Sequence, residues 1–234
     1  MSSRDRRTTI ALVSTVVGLA IFNVARAHVI DTAAGIATNL LMAAALAGVC
    51  GYATLTAIEL GTERSRIGAG LRWGAGSAAV VTAVVVAAGL VPALSGALAD
   101  DRVEVGVGEM LGHVLITIPI GTVVLEELAF RGLLLGLLRR VTSTAWAVAV
   151  DSVLFGLWHV APAIASADDN AALADVASAS GGLAATVVAT VVTTTVAGFA
   201  LCWLRLRSRS LLAPALAHVA TNSVAFAVAW AVAR

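Results

Sequence analysis

Residues 110–137 read MLGHVLITIPIGTVVLEELAFRGLLLGL, an apolar run that carries two adjacent glutamates, Glu126 and Glu127. About 20 consecutive apolar residues are enough for a helix to cross a bilayer. An ionised side chain at bilayer depth costs about 3 kcal/mol or more, so such groups rarely persist there without a partner or a function. The stretch therefore predicts a membrane helix with a polar functional centre inside it.

The rest of the chain has the composition of an integral membrane protein. Of its 234 residues, 59% are hydrophobic and only 12% are charged, and the mean hydropathy is +0.96. Soluble domains average about 25% charged residues. No basic patch interleaved with aromatic residues indicates nucleic-acid binding. We therefore expect the lipid bilayer, and not nucleic acid, as a partner.

Seven apolar runs predict an all-α, polytopic bundle of about seven transmembrane helices. The runs cover residues 9–26, 33–58, 73–97, 110–137, 144–164, 181–204 and 211–232. The fourth run is overlong, so we expect it to tilt steeply or to break near Gly132, which would make eight helices. The polar breaks are too short for a soluble domain. We expect one integral membrane domain over 1–234, with a motif-bearing core at about 110–232.

The arginines predict the orientation of the helices, because cytoplasmic loops are enriched in basic residues. All fifteen basic residues are Arg, and most cluster before the first run and after the second, fourth and sixth runs. This pattern favours a multi-pass cell-membrane protein with a cytoplasmic N-terminus, and the Lys-free, Ala-rich composition suggests a bacterial source. Ala25-Arg26-Ala27 resembles a signal-peptide cleavage site, but the preceding apolar run is longer than a signal core. We expect an uncleaved first helix.

The glutamate pair has an internal counter-ion. Glu127 and Arg131 are four residues apart and share one face of a helix, so they are expected to form an ion pair. Glu126 points about 100° away from Glu127 and cannot use Arg131 in the same geometry. Its carboxylate is therefore available to another helix or to water.

Two further helices carry groups suited to acid–base chemistry. Phe155 and His159 are four residues apart on the fifth run, and His218 and Asn222 have the same spacing on the seventh. Asn222 could orient the imidazole of His218 or donate to a developing oxyanion. On straight helices His218 would lie about 10 Å from the cytoplasmic side and His159 about 20 Å. For the two histidines to share one site, the fifth helix must tilt, kink near Gly156 or Pro162, or begin deeper in the membrane.

Several familiar hydrolase patterns are missing from the sequence. There is no Gly-x-Ser-x-Gly or His-Glu-x-x-His motif, and Asp151 is the only clear membrane aspartate, which suggests a supporting group rather than an aspartate pair. Glu59 and His113 fall near span ends and are expected to be structural, with His28 interfacial. A glutamate and two histidines remain. They could activate water directly or hold a divalent metal such as zinc with an open position for water.

The ordered set of motifs resembles the CAAX protease and bacteriocin-processing (CPBP) family of intramembrane endopeptidases. The motifs read Glu126-Glu127-Leu-Ala-Phe-Arg131, Phe155-Gly-Leu-Trp-His159 and His218-Val-Ala-Thr-Asn222. The family includes the Ras-converting CAAX endopeptidase and many prokaryotic proteins called abortive-infection proteins. The resemblance covers roughly 110–230.

The resemblance implies a catalytic role for four residues and a supporting role for three. Glu126 with His159 would activate water, His218 and Asn222 would stabilise the oxyanion, and Glu127, Arg131 and Phe155 would support the site. The family is often described as metalloproteases, and a metal-free glutamate mechanism is also proposed for it. Glu126, His159 and His218 would be the ligands if a metal is used, and no cofactor would be required otherwise.

Prenylated CAAX-type or bacteriocin-like peptides are the substrates that the resemblance suggests. A non-catalytic scaffold or immunity protein, or a small proton-coupled transporter, is the alternative. A proton relay through Glu126 and His159 predicts proton-coupled flux and tolerance of Asn222→Ala. A scaffold predicts that the polar residues can be replaced together without loss of function.

Overall fold

The computed structural model describes residues 2–28, 35–91, 103–165 and 182–234. Within these ranges seven helices are long and apolar enough to cross a membrane, which confirms the predicted all-α bundle. We number them α1 (Ser3–His28), α2 (Gly35–Tyr52), α3 (Ile67–Leu90), α4 (Val107–Val141), α5 (Thr144–Ala165), α6 (Leu183–Ser208) and α7 (Leu212–Val232). Large apolar side chains such as Ile21 and Val80 are about two-thirds exposed on their outer faces. The chain is thus a multi-pass membrane protein.

The connection between α2 and α3 differs from the prediction. The second apolar run was expected to stay helical to residue 58, but α2 ends at Tyr52 and α3 already begins at Ile67. Between them a single helical turn, Ala57–Leu60, starts at a capping box formed by Thr56 and Glu59. Hydropathy does not register such caps, because they depend on hydrogen bonds to the backbone.

Helix α4 runs without a break from Val107 to Val141, so of the two predicted alternatives the break near Gly132, which would have made an eighth helix, is excluded. The helix contains three π-helical turns, a feature often found at functional sites. Pro119 has no N–H to donate, and the nearby carbonyl of Val114 accepts a hydrogen bond of 2.9 Å from Ser223 Oγ of α7. The π-helical turns lie at His113–Thr117, Pro119–Val123 and Leu128–Leu134.

The motif-bearing part of α4 lies at the centre of the bundle. From residue 125 to residue 138 every side chain is buried except that of Leu128, which is half-buried. The glutamates and Arg131 are therefore enclosed by other helices rather than by lipid. This placement is the one that intramembrane charges require.

Helices α5 and α6 approach closely through small residues. A Cβ at Gly156 would lie 2.7 Å from the carbonyl oxygen of Val191 and would also clash with Thr195, and a Cβ at Gly198 would lie 3.0 Å from Cα of Ser152. Small residues allow this approach, as is common in membrane helix pairs.

We expect Gly156→Ala to destabilise the protein by about 1–3 kcal/mol, because a backbone carbonyl cannot move aside as a flexible side chain can. The measurement is thermal or denaturant unfolding in detergent. Gly48→Ala is the matched control, since a Cβ there meets nothing within 4 Å. Equal stability of the two variants would contradict the proposed contact.

Candidate active site

The two adjacent glutamates have different hydrogen-bond partners. Glu127 Oε1 lies 3.3 Å from Nη1 of Arg131, so the predicted ion pair is present. The same oxygen lies 2.8 Å from Nδ1 of His218 on α7. Glu126 instead accepts a 2.9 Å hydrogen bond from the indole Nε1 of Trp158 on α5. Both carboxylates are buried, with Glu126 5% and Glu127 1% exposed.

Arg131 is enclosed completely, with no exposed surface. Its guanidinium lies 3.9 Å from the ring centroid of Phe155, in the geometry of a cation–π contact. The guanidinium also interacts electrostatically with Asp151, which lies one helical turn before Phe155 on α5. The predicted supporting residue Phe155 thus connects α5 to the ion pair of α4.

His218 lies between the two carboxylates. Its Nδ1 contacts Glu127, and its Nε2 lies 3.6 Å from Oε2 of Glu126. An ionised Glu127 can only accept, so Nδ1 must carry a hydrogen, and Nε2 is left facing Glu126. Glu127 therefore orients the imidazole, a task the sequence had also suggested for Asn222.

His159 reaches the same region because α5 is interrupted. Helical geometry stops at Trp158, His159 has φ −85° and ψ −1°, and a second helical segment follows. The interruption lies between Gly156 and Pro162, as one of the predicted alternatives required. The ring centroid of Phe155 is 4.7 Å from that of His159 and 5.8 Å from that of His218, so both imidazoles contact one aromatic ring.

No direct hydrogen bond or ion pair joins His159 to Glu126 among the described residues, and their predicted joint activation of water remains a prediction. His159 Nδ1 lies 2.7 Å from the carbonyl oxygen of Phe155 in its own helix. The backbone turn at His159 provides that nearby acceptor, which a straight-helix argument does not include.

A cavity of about 920 Å³ opens beside the two histidines. Its wall includes His159, His218 and Asn222, while neither Glu126 nor Glu127 belongs to its lining. The glutamates lie behind His218 rather than at the surface of the cavity. The rest of the wall is mostly apolar, with hydroxyl groups and one arginine, and includes Arg72, Trp73, Ser77, Thr193, Thr194 and Thr221.

The described residues do not form a metal-binding cluster. No three His, Cys, Asp or Glu side chains within the described ranges come together as a ligand set. Nδ1 of His159 is turned to a backbone carbonyl, and Nδ1 of His218 is turned to Glu127. Metal binding by Glu126, His159 and His218 remains a prediction.

The other polar residues that the sequence analysis considered have further partners in the bundle. Asp151 is fully buried and accepts a 3.1 Å hydrogen bond from the thiol of Cys202. Glu59 pairs with Arg140 at 2.6 Å. His113 packs against Phe226, with ring centroids 5.1 Å apart. The side chain of His28 lies outside the part of the chain that can be described.

Two residues of the site were not anticipated from the sequence. Trp158 donates a hydrogen bond to Glu126, and Asn23 of α1 donates to the backbone carbonyl of Trp158 at 2.7 Å. A signal was available, since Asn23 is a polar residue in an apolar run and Pro162 follows Trp158 by four residues. Neither pattern specifies the partner.

The comparisons with known proteins concern the segment that carries these motifs. A family model, the type II CAAX prenyl endopeptidase Rce1-like family, matches residues 108–224. Searches of curated proteins and of solved structures found no match. The matched segment is half of the chain and contains all three motifs, from Glu126 to Asn222. The chain therefore belongs to the Rce1-like type II CAAX prenyl endopeptidases, a family of proteases.

Proposed function

We propose that this protein is an intramembrane endopeptidase that hydrolyses peptide bonds of membrane-associated proteins or peptides. The observation that carries the proposal is the position of His218, which lies between Glu126 and Glu127 and also lines the cavity of about 920 Å³. A peptide in that cavity would meet the imidazole of His218 and the amide of Asn222, and the carboxylate of Glu126 lies behind the imidazole. These are the groups that water-mediated peptide hydrolysis needs.

Glu126 is the general base in this proposal. Its Oε1 is held by Trp158, whereas its Oε2 makes no hydrogen bond within the described part of the chain. The free oxygen can accept a proton from a water molecule that enters beside His218. The water oxygen then bonds to the peptide carbonyl carbon, the C–N bond breaks, and the proton passes to the leaving amine. His159, on the cavity wall, helps to position the water or the peptide.

His218 and Asn222 stabilise the oxyanion in this proposal. When protonated, His218 donates from Nδ1 to Glu127 and has Nε2–H available, and the carboxylates on either side stabilise its charge. Asn222 lines the same cavity one helical turn away, and its amide makes no hydrogen bond with the described residues. In this proposal Asn222 and, once the ring is protonated, Nε2 of His218 donate to the oxygen on which negative charge develops.

The cavity also supports the choice of substrate and its side of entry. Apolar walls between membrane helices suit a lipid-modified or hydrophobic peptide, so prenylated CAAX-type and bacteriocin-like peptides are the proposed substrates. Arg72 lines the cavity, and Arg207 lies 5.4 Å from the ring of Trp73 in the same wall. Because these arginines belong to the predicted cytoplasmic clusters, we propose that substrates enter from the cytoplasm.

The test of the proposal is cleavage of a quenched fluorescent farnesylated CAAX-type peptide by the purified protein in detergent. A bacteriocin-like peptide serves as the second substrate, and each reaction runs with and without a strong chelator. We expect cleavage of at least one peptide, and the chelator arm decides metal dependence. Absence of cleavage of both peptides by folded protein would contradict the proposed function.

We expect Asn222→Ala to lower kcat by about 10²–10³-fold with little change in KM, because an oxyanion donor acts mainly in the transition state. The thermal unfolding temperature should stay close to that of the wild type, since Asn222 makes no side-chain hydrogen bond with the described residues to lose. Steady-state kinetics and unfolding in detergent measure both effects. Full activity of Asn222→Ala would contradict the role of Asn222 in stabilising the oxyanion.

A further inference from the structure

Helix α1 lies outside the segment matched by the family model but reaches the site. Pro162 has no N–H, so it cannot donate to the carbonyl of Trp158 four residues earlier, as a regular helix would require. Asn23 of α1 donates its side-chain amide to that carbonyl at 2.7 Å. Asn23 is buried, with 9% of its surface exposed. A residue from α1 thus satisfies the backbone group that the break in α5 leaves unpaired.

The same tryptophan holds the proposed base. Trp158 Nε1 donates to Glu126 Oε1 at 2.9 Å, and this is the hydrogen bond that Glu126 makes within the described residues. The indole is 6% exposed and packs edge-on against Phe130, with ring centroids 6.0 Å apart. Three contacts therefore fix the position of Trp158: Asn23 of α1 binds its backbone carbonyl, Phe130 packs against its ring, and Glu126 accepts from its indole nitrogen.

We infer that Asn23 and Trp158 are positioning residues for Glu126, and we call them the Asn23–Trp158 brace. The inference rests on the proposed function, since it assigns the brace a role in orienting the general base. The brace keeps Oε1 occupied so that Oε2 faces Nε2 of His218. It also holds the turn that carries His159 into the cavity.

A consequence concerns the N-terminal helix. Removal of residues up to Ala27, at the sequence that resembles a cleavage site, would remove Asn23 and leave the carbonyl of Trp158 without this donor. Activity therefore requires α1 to remain part of the protein. Small displacements of a catalytic group cost about 10²-fold in rate, so an unbraced Glu126 should lose much of its activity.

The test measures kcat, KM and unfolding temperature for Trp158→Phe and Asn23→Leu, with the farnesylated peptide as substrate. Trp158→Phe keeps an aromatic ring and removes only the N–H donor and part of the ring. We expect kcat to fall by about 10–100-fold in both variants, with KM within about threefold of the wild type. Because both residues act through Glu126, their combined effect on kcat should be smaller than the product of the single effects.

Matched controls separate a positioning role from a general loss of stability. Trp146→Phe changes a tryptophan on the same helix that is 68% exposed. Asn39→Leu removes another buried asparagine that donates to a backbone carbonyl of α4, that of Gly121. We expect both controls to keep the wild-type kcat, even where Asn39→Leu lowers the unfolding temperature. If Asn23→Leu does not fold, Asn23→Ser replaces it.

A comparison in the Glu126→Gln background completes the test. There, adding Trp158→Phe should leave the residual rate unchanged, because the group that the brace orients is already inactive. A wild-type kcat in both Trp158→Phe and the Asn23 variant would overturn the brace while leaving the role of Glu126 intact. A wild-type kcat in Glu126→Gln would instead overturn the role of Glu126 as general base, and the brace with it, whereas the proposed function itself fails only if the folded wild-type protein cleaves neither peptide.

Discussion

Replacing Glu126 with Gln is expected to lower kcat for peptide cleavage by about 10²–10⁴-fold, the range that a positioned general base contributes. The amide of Gln has nearly the shape of the carboxylate and can still accept from Nε1 of Trp158, but it cannot take a proton from water. The neighbouring carboxylate of Glu127 is already paired with Arg131 and with Nδ1 of His218, so we do not expect it to replace Glu126 as the base.

The measurement is single-turnover and steady-state cleavage of the farnesylated peptide by wild type and variant in the same detergent. Glu109→Gln is the matched control, because Glu109 lies exposed near the start of the same helix α4. The variant must keep the wild-type elution profile and far-UV circular dichroism. Cleavage by Glu126→Gln at the rate of Glu109→Gln would show that the water is activated elsewhere.

Replacing Arg131 with Leu is expected to destabilise the protein by about 3–5 kcal/mol, the cost of leaving a buried charge without its partner. Arg131 has no exposed surface, and its guanidinium lies beside Glu127 and above the ring of Phe155. Without it, the carboxylate of Glu127 remains buried with only His218 to offset its charge. We also expect activity to be lost, because the position of His218 depends on Glu127.

The double variant Glu127→Leu/Arg131→Leu distinguishes a buried ion pair from simple loss of packing. Removing both partners leaves no unpaired carboxylate, so the double variant should be more stable than Arg131→Leu, although still inactive. Denaturant titration in detergent measures the difference in the free energy of unfolding between the two variants. An Arg131→Leu variant as stable as the wild type would mean that the charge of Glu127 is neutralised without the arginine.

The family match and the geometry cover different parts of the molecule. The matched segment, residues 108–224, includes the three motifs, whereas the Asn23–Trp158 brace begins in α1. The cavity wall likewise includes Arg72 and Ser77 of α3. Residues outside the matched segment therefore complete the proposed site, and they are the places where the substrate choice of this chain can be set.

Local spacing explains which parts of the site could be predicted from the sequence. Glu127 and Arg131 are one turn apart on one helix, so their ion pair follows from helix geometry alone. The shared cavity position of His218 and Asn222 follows in the same way, and continuous apolar runs identify the seven spans. Each of these predictions depends on residues within a single helix.

Contacts between helices were decided only by the tertiary structure. The π-helical turns of α4 and the interruption of α5 at His159 rotate and shift side chains relative to straight helices. The pairing of His218 with Glu127 therefore could not be derived from sequence spacing, and neither could that of Glu126 with Trp158. The donor for the carbonyl left free by Pro162 comes from α1, more than a hundred residues away in the chain. In the absence of water, each buried polar group must find a partner inside the protein, and only the packed bundle determines which one.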